Sequence, residues 1–98
     1  MEINITHGEA LVIALTGRLD TVTSTELLKA FAEAELKEDL VIMDMKDLEY
    51  ISSAGLRALL AIKKELVDKK KEFEVHNLND VCKEVFRVTG MSNLLIVK

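Results

Sequence analysis

Asp47-Leu48-Glu49-Tyr50-Ile51-Ser52-Ser53-Ala54-Gly55-Leu56 decides how this chain reads. The stretch carries a buried strand into an amphipathic helix and sets two hydroxyls at the helix start. The first turn of a helix leaves backbone N–H groups without intrahelical partners and carries a partial positive charge. Serine suits that position, and a phosphate suits it better. A serine there, on a surface open to another protein, has the makings of a charge switch.

Working outward, Leu40-Val41-Ile42-Met43, followed by Asp44-Met45, is an apolar run too short for a helix. Its uniform character predicts a central strand covered on both faces. On the other side of the serines, Leu56, Leu59, Leu60, Leu66 and Val67 fall on one helical face, with Lys63 snorkelling from it. Lys69-Lys70-Lys71 then reads as a solvated cap that complements the helix dipole. Before the stretch, Ile3 and Ile5 alternate with polar residues, His7-Gly8-Glu9 makes a turn, and Ala10 to Leu15 returns as a second strand. Thr23-Ser24-Thr25-Glu26 predicts a capping box, with Thr23 as cap and Glu26 reaching back. Leu27, Leu28, Phe31 and Ala34 carry that helix to about Leu36. Beyond it, Phe73-Glu74-Val75 is a short strand, and Asn79 or Asp80 opens a third helix with Val81, Cys82, Val85 and Phe86 inward. Gly90 stops that helix, and Leu94 to Val97 is the last strand. The order β-β-α-β-α-β-α-β predicts an α/β fold with a small, mixed, mainly parallel sheet.

Ninety-eight residues are expected to form one domain spanning 1–98, since no Pro-, Gly- or Ser-rich stretch marks a linker. A net charge of −4 without a basic stripe argues against general nucleic-acid binding. No apolar run approaches the roughly 20 residues that cross a bilayer, and the first residues do not resemble a signal peptide, so a cytoplasmic location is expected. Cys82 is the lone cysteine, which excludes an internal disulfide and a Cys-based zinc site.

The chemistry narrows in the same way. Ile51-Ser52-Ser53-Ala54-Gly55 is not the G-x-S-x-G of a nucleophile elbow, and His7 and His76 stand far in sequence from any acid that would orient them. No catalytic residues are assigned, and the histidines read as surface residues rather than metal ligands. Asp44, Asp47 and Asp20 would serve a Mg²⁺-binding or nucleotide-binding module, but carboxylates at strand ends are ordinarily solvated. There is no phosphate-binding loop or dinucleotide fingerprint, and no cofactor is expected. The two serines remain, either as helix caps alone or as a regulatory hydroxyl.

The stretch from Asp47 to Leu56 resembles the signature segment of STAS domains, the anti-sigma-factor antagonists of bacteria. Gly17-Arg18-Leu19-Asp20 is similar to the family's loop before its first helix, and Val85-Phe86-Arg87-Val88-Thr89-Gly90-Met91 to its closing helix and turn. The three matches come in family order. The resemblance implies a sheet with helices packed on one side and the N-terminal hairpin at its edge. It implies a binding module rather than an enzyme, one that switches partners. When unphosphorylated it would bind an anti-sigma factor that is also a serine kinase of the histidine-kinase-like ATPase fold, and so free a sigma factor. Phosphorylation would end the interaction, and a metal-dependent phosphatase would restore it. The phosphoacceptor position matches Ser53, with Ser52 as the alternative. The expected docking surface is Asp20, Thr21, Ser52, Ser53, Ala54, Arg57, Ala58 and Ala61, the alanines allowing close approach. Within the same fold, a subunit of a stress-sensing or lipid-transport assembly is the other role the resemblance allows.

Overall fold

The computed structural model describes residues 1–98. Strands β1 (Glu2–Thr6) and β2 (Leu11–Leu19) form an antiparallel hairpin. Helix α1 (Thr21–Glu33), strand β3 (Leu40–Ile51), helix α2 (Ser53–Asp68), strand β4 (Glu72–His76) and helix α3 (Asp80–Thr89) follow. A 3₁₀ turn at Met91–Asn93 then leads into β5 (Ile96–Val97). The sheet order is β1-β2-β3-β4-β5, with every pairing after the hairpin parallel. Successive crossovers of one hand, each stepping the same way, put all three helices on one face.

Burial follows from that arrangement. Leu11, Ile13 and Leu15 of β2, Val41, Met43 and Met45 of β3 and Phe73 and Val75 of β4 are buried, while Val12, Ala14, Ile42 and Asp44 between them are only half-buried. The sheet is therefore covered on one face. The expectation that β3 is covered on both is corrected: the run is apolar at every position, but Leu40 and Ile42 lie on the open face. Leu27 and Phe31 from α1, Leu59, Ile62 and Leu66 from α2, and Cys82 and Phe86 from α3 complete the core.

β3 is longer than its apolar run because two irregularities carry it onward. The β2–β3 pairing steps from Ala14↔Asp44 to Thr16↔Asp47 and from Gly17↔Leu48 to Arg18↔Tyr50, each time with one extra residue on β3. A bulge of this kind re-aims the side chains that follow it. Here it turns Leu48 and Ile51 inward and leaves Lys46, Asp47, Glu49 and Tyr50 exposed. Gly17 meets the bulged stretch with φ of 108°, a conformation that suits glycine.

Several local expectations change. The cap of α1 is Asp20, not Thr23, and Thr23 is the residue that reaches back. Asp20 outcompetes Thr23 because its carboxylate takes both Val22 N (3.0 Å) and Thr23 N (2.9 Å). Glu26 plays no part in the box. α1 ends at Glu33, not near Leu36, and starting it at Thr21 puts Ser24, Leu27 and Phe31 inward and leaves Leu28 38% exposed. Val67 and Val81 are exposed rather than packed. β5 is shorter than expected because Met91–Asn93 coils first. Lys71 is not a solvated cap: its Nζ donates to Glu38 O (2.8 Å) and its side chain is only 15% exposed. Glu38 in turn accepts from Gly8 N (3.2 Å), and His7 Nδ1 lies 3.0 Å from its Oε2, so one carboxylate ties the β1–β2 turn to the loop before β3.

Candidate functional site

β2 and β3 end side by side, with Leu19 in register with Ile51. Each strand hands directly to a helix, so the starts of α1 and α2 are neighbours at the carboxyl end of the sheet, the pole where open α/β sheets present their ligand-binding surfaces. Asp20, Thr21, Ser52 and Ser53 thereby stand at this one pole of the sheet.

The two serines do different work. Ser52 is the N-cap of α2: its Oγ accepts from Gly55 N (3.2 Å), and its own N–H extends the sheet by donating to Leu19 O (2.9 Å). Ser53 is the first helical residue, is exposed, and its hydroxyl has no partner within the protein. Gly55 explains the rest of the segment. A Cβ there would lie 2.8 Å from Ile51 Cγ1 and 2.9 Å from Leu19 Cγ, so only glycine lets the first turn of α2 sit on the ends of both strands.

Asp20 is equally committed. Hydrogen bonds from Thr23 N and the Thr23 hydroxyl, helped by Val22 N and the nearby Arg18 charge, hold its carboxyl below the ordinary carboxylate range. Thr23 Oγ1 also accepts from Asp20 N (2.8 Å), closing the capping box. Thr21 is exposed beside it. On α2, Arg57 and Ala61 are exposed and Ala54 is half-buried, but Ala58 is only 3% exposed, too buried for the docking role expected of it. At about 100° per residue, position 58 lies about 40° from Ile62 and about 60° from Gly55. α1 packs against α2.

Two features went unread in the sequence. Arg18 lies over the Tyr50 ring, 4.7 Å from its centroid, in a cation–π pair on adjacent strand ends. Asn79 Nδ2 donates to Leu48 O (3.1 Å) and Glu49 O (3.3 Å), while its Oδ1 accepts from Cys82 N (2.8 Å) and caps α3. One amide thus ties the bulged end of β3, just before the serines, to α3. Only the capping preference of Asn pointed to it; the bond to β3 depends on a bulge that composition does not reveal.

The rival chemistries find less. Asp44 Oδ1 accepts from Asn77 Nδ2 (3.0 Å) and Lys46 N (3.1 Å), and Asp20 is consumed as a cap. No three His, Cys, Asp or Glu side chains gather where a metal ion would be held, and the surface carries no pocket. Each histidine does have a carboxylate partner, His7 with Glu38 and His76 with Glu74 (2.8 Å), but the His7 pair stands at the opposite pole from Ser53. No helix is long and apolar enough to cross a membrane.

Known proteins share this fold. The chain is similar to the anti-sigma-B factor antagonist of Listeria monocytogenes, with 25% identity over 99 aligned residues covering all of this chain and 87% of the relative. It is 31% identical to BtrV of Bordetella bronchiseptica over 88 residues, 89% of this chain and 76% of that one. Among solved structures, an anti-sigma factor antagonist from Mycobacterium paratuberculosis superposes with a TM-score of 0.86 at 22% identity, covering 98% of this chain and 83% of the other. The phosphorylated form of the Bacillus cell fate determinant SpoIIAA gives 0.71 at 19%, covering 99% and 91%. A family model described as "Mlab, STAS domain" matches residues 5–97. With that match spanning the hairpin, the serine segment and the closing helix, the chain belongs to the STAS domain family.

Proposed function

We propose that this protein is an anti-sigma-factor antagonist whose binding is switched off by phosphorylation of Ser53. The observation that carries the reading is the division of labour between the serines: Ser52 Oγ is held by Gly55 N, whereas the Ser53 hydroxyl is exposed and unbonded. A kinase can reach Ser53 without dismantling the cap of α2. The Listeria relative's name and the existence of SpoIIAA in a phosphorylated form support the choice of function. In this reading the unphosphorylated protein docks on an anti-sigma factor that is also a serine kinase, through Asp20, Thr21, Ser52, Ser53, Ala54, Arg57 and Ala61. The Ser53 oxygen attacks the γ-phosphorus of ATP, the bond to ADP breaks, and the hydroxyl proton leaves to a base of the kinase. A metal-dependent phosphatase reverses the modification.

The sign of the switch follows from where the phosphate sits. At a helix N-terminus it is locally favourable by roughly 0.3–1 kcal/mol, so the fold is kept. At the interface the same group adds about −1.5 to −2 charge close to Asp20, and it must shed water under a partner. An effective desolvation penalty of several kcal/mol applies to an unpaired buried ion. A loss of about 3 kcal/mol already weakens binding more than a hundredfold. The test is intact-mass and peptide analysis after incubation with Mg-ATP and cognate host extract. One phosphoryl group, absent in Ser53→Ala, is the expected result; modification that persists in that variant refutes the residue assignment.

A second reading, a STAS subunit of a transport assembly, is supported by the same fold in the STAS domain of a SulP transporter from Vibrio cholerae, which superposes with a TM-score of 0.69 at 13% identity, covering 91% of this chain and 72% of the other. Such a subunit would remain unmodified in an extract that phosphorylates a control antagonist.

A further inference from the structure

We propose that Arg57 is the internal counter-ion of phosphorylated Ser53, so that modification withdraws a cation from the docking face as well as adding an anion to it. The inference rests on Ser53 being the phosphoacceptor. Ser53 and Arg57 are four residues apart on α2 and both are exposed, one turn apart on one side of the helix. Helical Cα–Cβ bonds tilt toward the N-terminus, and long side chains lean back over the preceding turn, so a guanidinium at 57 sweeps the space over residue 53. An acid four residues before a base is also the more favourable order of such a pair. Guanidinium presents a planar fork that takes two phosphate oxygens at once.

The state of the other arginines singles this one out. The chain has three. Arg18 is engaged over the Tyr50 ring, and Arg87 is closed onto Glu84 three residues before it, its Nε donating to Oε1 at 2.9 Å. Arg57 makes no ion pair or hydrogen bond within the protein. Asp20, the acid that caps α1, is turned to the amides of its own helix. In the unmodified protein Arg57 is therefore free to meet an acidic group on the partner. In the modified protein it is drawn back along its own helix onto the phosphate.

The test places phosphoserine at position 53 of the full chain by genetic encoding, which removes any dependence on a kinase. ³¹P NMR titration then compares the native residue with Arg57→Gln and Arg57→Lys. The helix N-terminus acts equally in all three, so the difference isolates the side chain. The second phosphate pKa, ordinarily about 6, is expected to lie lower with Arg57 than with Arg57→Gln by about 0.2–0.4 unit. Arg57→Lys should keep part of the shift, as a point charge without the fork. Equal titration midpoints for Arg57 and Arg57→Gln overturn the inference. A cognate kinase that still labels Ser53→Ala overturns the proposed function instead, and leaves the NMR comparison readable.

Discussion

Replacing Ser52 and Ser53 by alanine, one at a time, separates the two hydroxyls in opposite directions. Ser52→Ala removes the acceptor of Gly55 N and leaves that donor, on a buried residue, without a partner. Loss of an N-cap costs about 0.5–2 kcal/mol, typically ~1. The backbone bond from Ser52 N to Leu19 O survives the change, so the strand end holds and the cost stays within that range. For a domain of this size each kcal/mol lowers Tm by about 4–8 °C. Ser53→Ala deletes an exposed hydroxyl with no bond and inserts a better helix former, so its stability should stay within about 0.5 kcal/mol of native. Urea unfolding and calorimetry give both values, and the kinase assay gives the other half of the contrast: Ser52→Ala should still be phosphorylated and Ser53→Ala should not. A Ser53→Ala protein destabilised by more than about 1 kcal/mol, or a Ser52→Ala protein with unchanged Tm, would refute the division of roles.

Ser53→Asp should lose partner binding about a hundredfold or more while remaining within about 1 kcal/mol of native stability, measured by titration calorimetry and thermal melting; an unfolded variant counts against a switch located at the interface. Gly55→Ala sets overpacking against Ile51 and Leu19, about 1–3 kcal/mol, against a helix-propensity gain of ~1, so a lower Tm is expected and a raised one would show that the contact yields. Ala61→Arg should leave the melt unchanged and weaken docking, whereas Ala58→Arg should unfold the protein, because only the second buries a charge. Glu38 titrates with a defined sign. Burial pushes its carboxyl up, but hydrogen bonds from His7 and Gly8 N outweigh that and hold it below the ordinary range. A depressed native pKa gives stability that is present above the unfolded value and lost as pH falls through the native one. The melt should therefore drop below roughly pH 4.3, and Glu38→Gln should flatten that limb; an unaltered acid limb in the variant would remove Glu38 from the account.

Much of this architecture was legible because local pattern and global order agree. The capping preference of Asn79, the stop at Gly90 and the alternation of strands with helices all read correctly. The misreadings share a cause: each needed a neighbour in space. Asp20 looked like a loop residue because its capping role depends on where α1 begins, and Thr23 looked like the cap for the same reason. β3 beyond Asp44 lost its period-2 pattern at the bulges, so the apolar run alone did not show how far the strand extends, although Leu48 and Ile51 are both buried. Ala58 stands on the wheel between exposed Ala61 and buried Ile62, so its burial was not decided by helical spacing alone. The serine segment was visible as a helix start from residue type alone. Which hydroxyl is free was decided by one hydrogen bond to Gly55 N.

The strands lie across the sheet in the order in which they occur along the chain. β3, which launches the serines, is the middle of five, and its pairing with β2 extends to Ile51 beside Leu19. The outermost strands are short, with five residues in β1 and two in β5. Opening should therefore begin at the flanks and run inward, since edge elements with few partners unfold at the lowest free energy. Amide exchange would then be graded, fastest at Ile96–Val97 and slowest along β2 and β3. Fraying at either margin would leave the seating of Ser52 and Ser53 undisturbed.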